Sequence, residues 1–179
     1  MKNESSTLPD WLAPGLRIVS IGINPSLPSA RAGFPFANPR NRFWPALNAS
    51  GLVEAPVEPG IAAMDILLER DRIGFTDIVK RATPMEKNVG REEFRAGADV
   101  LLGKLHAYQP RVIWLHGKTP LNSLCRAAGI SPGGDWGLQP VSLEGIPLFV
   151  TPNPSPANAA FSLENLIGWY KRLAETVDG

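Results

Sequence analysis

The chain has 179 residues, of which 44% are hydrophobic and 20% charged, and its formal net charge is +1 at pH 7. This length suits one globular domain and is too short for two ordinary domains. The sequence pI of about 7.9 lies below the value of about 9 expected of a domain that binds nucleic acid by charge alone. This composition counts against a nucleic-acid binder that depends on charge alone.

The chain carries no sign of export, membrane insertion or metal ligation by cysteines. Residues 1–10 are polar and lack the apolar core of a signal peptide, and no run approaches the roughly 20 apolar residues of a transmembrane helix. We expect a soluble protein that acts in the cytoplasm, on a bacterial-type nucleoid. Cys125 is the only cysteine, which rules out an internal disulfide and a cysteine-rich metal cage.

Apolar runs separated by proline and glycine predict strands that alternate with helices, which is typical of an α/β fold. In chain order we predict strand 17–23, helix 41–51, helix 62–70, strand 73–76, helix 91–108, strand 112–115, helix 118–128, an antiparallel excursion over 136–143, strand 147–150 and helix 162–176. Ser162 with Asn165 offers only part of a capping box, because that motif has Glu or Gln at the later position. We divide the chain into an N-terminal tail, residues 1–14, and one domain, residues 15–179.

Polar side chains follow four of the predicted strands. Ligands of an open parallel sheet bind beyond the carboxyl ends of its strands, so these side chains are candidates for one site. They are Asn24, Asp77, His116 and Asn153. A lone histidine at a strand end is more often structural than functional.

The segment after the first strand indicates the kind of ligand. Asn24 opens a proline-stiffened loop that continues to Phe34 and Phe36. An amide beside two aromatic rings is typical of a pocket for a flat, uncharged, hydrogen-bonding ring, and a nucleobase fits this description.

Five segments of the chain carry a family resemblance. They are residues 22–27, 33–37, 41–44, 153–155 and 162–166. Over residues 17–173 the sequence resembles the mismatch-specific uracil/thymine-DNA glycosylases of the uracil-DNA glycosylase superfamily. The resemblance implies a three-layer α/β domain with a central four-stranded, mostly parallel sheet flanked by helices. It also implies monofunctional hydrolysis of the N-glycosidic bond of uracil, and less well of thymine, in mismatched duplex DNA. The implied enzyme flips the base, serves base excision repair, and uses no metal or organic cofactor; we expect a monomer.

The resemblance implies roles for residues of the first motif. The carbonyl oxygen of Asn24 would aim the attacking water, since an amide is not basic enough to act as a general base. Phe36 would stack on the flipped pyrimidine, and backbone groups of Ile23 and Phe34 would read its edge. Ser29 would border the 5-substituent and crowd a thymine methyl group, which favours uracil. An Asn before Pro is also a common turn residue, and both phenylalanines could be core residues.

Asp77 departs from the mismatch-specific relatives, which typically carry Lys or Asn at this position. Other branches of the superfamily place a catalytic aspartate there. Two interpretations stay open: a carboxylate that accepts a proton from water or stabilises the cationic sugar, and a surface or helix-capping aspartate.

The second motif is assigned to the DNA side of the site. The resemblance implies that this loop fills the gap left by the flipped nucleotide and reads the opposite guanine. Its residues are Asn153, Ser155, Pro156, Ala157 and Asn158. Ala157 replaces the bulky wedge of the relatives, which predicts weaker dependence on guanine, while the carbonyls of Pro156 and Asn158 can still read it. Arg42 and Lys118 are candidates for phosphate contacts.

Three alternatives to a mismatch-specific enzyme stay open. The chain could be a broad-specificity uracil-DNA glycosylase with Asp77 as its main catalytic group, a nucleoside or nucleotide hydrolase, or a catalytically silent nucleic-acid binder. Uracil release from a mismatched duplex separates a DNA glycosylase from the last two, because the hydrolase would prefer monomers and the binder would release nothing.

Overall fold

The computed structural model describes residues 7–179, so that residues 1–6 of the predicted tail lie outside the described residues. The strands are β1 (Ile18–Gly22), β2 (Ile73–Asp77), β3 (Val112–His116), β4 (Gly137–Leu143) and β5 (Ile146–Thr151). The α-helices are α1 (Leu27–Ala32), α2 (Phe43–Ala49), α3 (Ile61–Glu69), α4 (Arg91–Tyr108), α5 (Lys118–Ala127) and α6 (Leu163–Asp178), and a 3₁₀ turn covers Glu86–Asn88.

The sheet is mixed and has five strands, in the order β2-β1-β3-β5-β4. Strands β2, β1, β3 and β5 are parallel, while β4 is antiparallel to β5. The expected count of four strands is therefore wrong, because the excursion over 136–143 joins the sheet. A two-residue turn allows this: Glu144 and Gly145 both have positive φ, 50° and 77°, which matches the twist of a tight hairpin.

The order of predicted helices and strands is confirmed, with one helix missed. Helix α1 is short, and the signal for it was Ser26, whose Oγ accepts a hydrogen bond from Ser29 N at 3.2 Å while Pro28 stands in the first turn. At α6, the Ser162–Asn165 pair forms both bonds of a capping box, at 3.1 and 3.2 Å. The amide oxygen of Asn165 thus accepts the hydrogen bond from the N-cap backbone that the longer Glu or Gln side chain accepts in other capping boxes.

Side chains alternate between the two faces of the sheet, as the period of a strand requires. Ile18 and Trp114 lie in one buried cluster with residues of α2, α3 and α6. Val19 and Ile113 lie in a second cluster with residues of α4 and α5. Helices therefore cover both faces of the sheet. A ligand can approach the sheet at the carboxyl ends of its strands.

The segment before β1 packs against β2. Trp11 and Phe75 exchange backbone hydrogen bonds of 2.9 Å in both directions, in an isolated antiparallel bridge. Gly74 permits this approach, because a Cβ there would stand 2.5 Å from the carbonyl oxygen of Trp11. Trp11 thus pairs with an edge strand of the sheet. The domain boundary after residue 14 stays a prediction. Within residues 7–179, no helix is both long and apolar enough to cross a membrane.

Candidate active site

A cavity of about 740 Å³ opens beyond the carboxyl ends of β1, β2 and β3. Ten residues singled out from the sequence line it: Ile23, Asn24, Ser29, Phe36, Asp77, His116, Asn153, Ser155, Pro156 and Ala157. Phe34, Arg42, Lys118 and Asn158 are not among the lining residues. The structure therefore joins the two motifs, 130 residues apart, around one hollow.

The side chain of Asn24 is fixed in one orientation. Its Nδ2 donates to the carbonyl oxygen of Arg81 at 2.9 Å and to Oγ1 of Thr83 at 2.8 Å. Thr83 Oγ1 donates its own hydrogen to the carbonyl oxygen of Met85 at 2.7 Å, so it can only accept from Asn24. Both neighbours of the Asn24 amide are acceptors, which identifies the NH₂ group and leaves Oδ1 free to accept a hydrogen bond.

Asp77 ends β2, directly beside the end of β1, with Gly22 as its register partner. No helix begins after it, so a capping role does not apply. No hydrogen bond reaches its carboxylate from the rest of the described chain. Burial raises the pKa of Asp77 to about 7; the charges of Lys80 and Lys104 act in the opposite direction.

Gly22 makes room for this carboxylate. A Cβ on Gly22 would stand 2.6 Å from Oδ1 of Asp77. A larger residue there would push the carboxylate away from the strand end, which explains why a glycine precedes Ile23 and Asn24 in the motif.

Phe36 presents one aromatic face to the cavity. Its ring stacks on the buried ring of Phe43, with centroids 4.1 Å apart and planes at 19°. Because Phe43 covers one face, the opposite face is the one left for a planar ligand. The backbone of Phe36 has φ of 56°, an unusual conformation for a residue with a side chain, and Trp44 Nε1 donates to its carbonyl oxygen at 3.2 Å. Phe34 instead meets Trp44 edge-on within the core.

Ser29 is buried at the wall of the cavity. Its Oγ accepts a hydrogen bond from Ala37 N at 3.2 Å and one from Ser26 Oγ at 3.0 Å. The hydroxyl is thus held in place at the wall of the cavity.

The loop Asn153–Asn158 is held by internal hydrogen bonds and by Arg42. Within the loop, Asn153 Oδ1 accepts from Ser155 N at 2.9 Å, and Asn158 Nδ2 donates to the carbonyl oxygen of Asn153 at 3.0 Å. The guanidinium of Arg42 donates to the carbonyl oxygens of Ser155, at 3.0 Å, Asn158, at 2.9 Å, and Phe161. The guanidinium of Arg42 is therefore engaged by this loop. Its geometry favours a role in holding the loop over the expected contact with a DNA phosphate.

Lys118 lies beside the loop that precedes β4. Its Nζ donates to the carbonyl oxygen of Gly134 at 2.6 Å and lies 4.6 Å from the ring centroid of Trp136. These contacts hold the side chain away from the cavity, so its phosphate contact stays a prediction.

Sequence reasoning missed the residues that orient the site from a distance. Arg81 and Thr83 fix Asn24 although they follow it by 57 and 59 residues. Ser20 lies 2.8 Å from His116 Nε2 across 96 residues. No local pattern signals such pairs, although the position of Ser20 inside an otherwise apolar strand was a hint.

No group of three or more His, Cys, Asp and Glu side chains in residues 7–179 is arranged to hold a metal ion. The groups at the strand ends are instead a free amide oxygen, a carboxylate and aromatic surface. Such a set can align a water molecule, take up its proton and hold a planar ring.

Comparison with known proteins identifies the class. The sequence pattern of the Uracil DNA glycosylase superfamily matches residues 9–174, which is most of the chain. The chain therefore belongs to the uracil DNA glycosylase superfamily. This membership supports hydrolytic DNA glycosylase activity on uracil, and with it a part in DNA repair.

Among solved structures, the fold is similar to the solution NMR structure of a putative uracil DNA glycosylase from Methanosarcina acetivorans. The two chains are 22% identical, the TM-score is 0.56, and the match covers 95% of this chain and 98% of the other. At this level of identity the likeness concerns the fold.

Proposed function

We propose that the protein is a monofunctional uracil-DNA glycosylase that hydrolyses the N-glycosidic bond of uracil, and less well of thymine, in mismatched duplex DNA. It acts as a monomer in base excision repair and flips the target nucleotide into the cavity at the strand ends. The observation that carries this proposal is the fixed amide of Asn24, whose free Oδ1 lies at the same edge of the sheet as the carboxylate of Asp77.

The reaction needs a water molecule on one side of the sugar and support for the departing base on the other. Asn24 Oδ1 accepts a hydrogen bond from the water and aims its oxygen at C1′. As the water oxygen bonds to C1′, the bond from C1′ to N1 breaks and its electron pair leaves with the pyrimidine. Asp77 takes the proton released by the water, which is general-base catalysis.

The pKa of Asp77 near 7 suits this role, because a base works best when its pKa lies near the operating pH. The ionised carboxylate also stabilises the positive charge that develops on the sugar.

Substrate choice follows from the walls of the cavity. Phe36 stacks on any base, and such stacking contributes roughly 1–3 kcal/mol without distinguishing one base from another. Ser29 is held close by two hydrogen bonds and leaves little room for a 5-methyl group. We therefore expect uracil to be released well ahead of thymine.

The flipping step is easier at a mismatch, because a mispaired base costs less to extrude. The carbonyls of Pro156 and Asn158 are suited to the opposite guanine, although Asn158 already accepts one hydrogen bond from Arg42. Ala157 is exposed and small, so it fills little of the gap in the duplex.

A second candidate is a broad-specificity uracil-DNA glycosylase, which also uses Asp77 as its main catalytic group but does not select the base opposite the uracil. Two observations favour it: the Asp77 carboxylate is partly buried and has no hydrogen-bond partner within residues 7–179, and the wedge position holds only alanine. On this interpretation the identity of the base opposite the uracil has little effect on the rate.

Single-turnover release of uracil tests both candidates. The substrates are U:G, U:A and T:G duplexes, single-stranded uracil DNA and free deoxyuridine, with alkaline scission of the abasic product as the readout. We expect U:G to react fastest, U:A and single strands more slowly, and T:G slowest. A rate that is equal on all uracil DNA supports the second candidate. Reaction confined to deoxyuridine, or no release at all, overturns both.

A further inference from the structure

Four buried side-chain polar atoms within residues 7–179 lack a hydrogen-bond partner: Arg42 Nε, His116 Nδ1, Gln139 Oε1 and Tyr170 Oη. Of these four residues, only His116 lines the cavity. Leaving a buried polar atom unpaired costs about 1–3 kcal/mol, so such an atom in a native protein calls for an explanation. A ligand that enters the cavity would supply the missing partner.

His116 ends β3, next to the strand that carries Asn24 at its end. The residue is buried, with 6% of its surface exposed. Phe36, the proposed stacking ring, meets it edge-on with centroids 5.1 Å apart. Because both residues line the cavity, a planar ring stacked on the free face of Phe36 would lie close to the imidazole.

The imidazole is neutral over the whole physiological range, since burial lowers the pKa of His116 to about 3. A neutral imidazole carries one hydrogen, on Nδ1 or on Nε2. Ser20 Oγ lies 2.8 Å from Nε2. If Nε2 held the hydrogen, both the Ser20 hydroxyl hydrogen and Nδ1 would be left without partners.

If Nδ1 holds the hydrogen, the Ser20 hydroxyl donates to Nε2, and only the Nδ1–H group is left unpaired. Unpaired buried polar groups are rare in native structures. We therefore expect a hydrogen-bond acceptor that enters the cavity to pair with the Nδ1–H group. A pyrimidine offers such an acceptor in its carbonyl oxygens, which become more negative as the base departs.

We propose that His116, held by Ser20, recognises the flipped pyrimidine by donating a hydrogen bond from Nδ1 to one of its carbonyl oxygens. The bond strengthens as the glycosidic bond breaks, so the residue assists departure of the base as well as its recognition. This inference rests on the proposed glycosylase function.

Three variants and a control test it on the U:G duplex under single-turnover conditions. His116→Leu removes the donor, and we expect a roughly 10- to 100-fold slower release of uracil. His116→Asn places an amide nitrogen near the position of Nδ1, and we expect it to recover most of that loss. Ser20→Ala frees Nε2, and we expect a smaller loss than with His116→Leu. His106→Ala is the matched control, because His106 is the other histidine and its side chain is 77% exposed.

A spectroscopic readout separates recognition from a purely structural role. In ¹⁵N-histidine-labelled protein we expect the signals of a neutral imidazole with hydrogen on Nδ1, and a shift of the Nδ1–H signal on binding a U:G duplex with non-cleavable 2′-fluorodeoxyuridine. Hydrogen on Nε2, or an unmoved Nδ1 signal in the bound complex, would overturn the inference. Equal rates for wild type and a folded His116→Leu variant would do the same and leave the glycosylase proposal intact. If the wild type releases no uracil, the glycosylase proposal itself fails.

Discussion

The two sides of the cavity are built differently. On the side of the strand ends, polar groups are left available: Asn24 keeps a free Oδ1, and Asp77 has a partly buried carboxylate with a raised pKa. On the side of the loop Asn153–Asn158, the polar groups are tied to each other and to Arg42. The contrast supports the proposal that the strand ends carry the catalytic groups, while hydrogen bonds hold the loop, with the small Ala157 exposed, in place.

The largest expected effect lies on the sheet side. We expect Asp77→Asn to slow uracil release from U:G by roughly 1,000-fold, because it removes the proton acceptor. Asn24→Ala should slow uracil release by roughly 100-fold, because the water is no longer aligned although Asp77 can still accept its proton. Single-turnover rates check both values. An Asp77→Asn variant near wild-type activity, beside an inactive Asn24→Ala, would show that the carboxylate is not the base.

The raised pKa of Asp77 also has a cost in stability. Its carboxyl loses a proton near pH 7 in the folded chain but near 3.8 when unfolded. Between these values the folded state binds more protons, so the free energy of unfolding falls as pH rises and stays lowered above pH 7. Three pKa units correspond to at most about 4 kcal/mol. We expect Asp77→Asn to be more stable than wild type at pH 8, with little difference at pH 4.

Urea unfolding at both pH values measures this difference. Asp65→Asn on the exposed face of α3 is the matched control, for which we expect no such gain. A pH-independent effect of Asp77→Asn would contradict the raised pKa.

Substitutions on the loop side should change the stability of the protein more than its rate of uracil release. Arg42→Met leaves three carbonyl oxygens without their donor, and we expect a loss of about 2–3 kcal/mol in stability. Amide hydrogen exchange should show faster opening at Asn158, whose N donates to the carbonyl oxygen of Ser155 at 3.0 Å. The exposed Arg40→Met is the control. Unchanged exchange in the loop would mean that Arg42 does not hold it.

The smallest effect is expected at the tip of the loop. Ala157→Leu restores bulk to the wedge position, and we expect a several-fold increase in the preference for U:G over U:A. Ala159→Leu, exposed on the same segment, is the control. The ratio of single-turnover rates on the two duplexes measures the change. A ratio that does not move would show that this position does not fill the gap in the duplex.

The sequence predicted where the two sides of the cavity lie, because strands and helices leave characteristic periods of apolar residues. Apolar runs ending in Gly22, Asp77 and His116 placed the strands, and the motif at Asn24 indicated where the ligand binds. The fifth strand was undercounted, since pairing of β4 depends on a turn with two residues of positive φ. Long-range partners could not be read at all: the orientation of the Asn24 amide depends on Thr83, and the role of Arg42 depends on a loop more than 110 residues away.

The pH–rate profile on a U:G duplex tests the central claim most directly. If Asp77 is the base, the single-turnover rate of the wild type rises about tenfold per pH unit up to about pH 7 and then levels off, while Asp77→Asn is slow and flat over the same range. If the two proteins give parallel profiles, the proton acceptor is another group, and the assignment of chemistry to the sheet side is wrong.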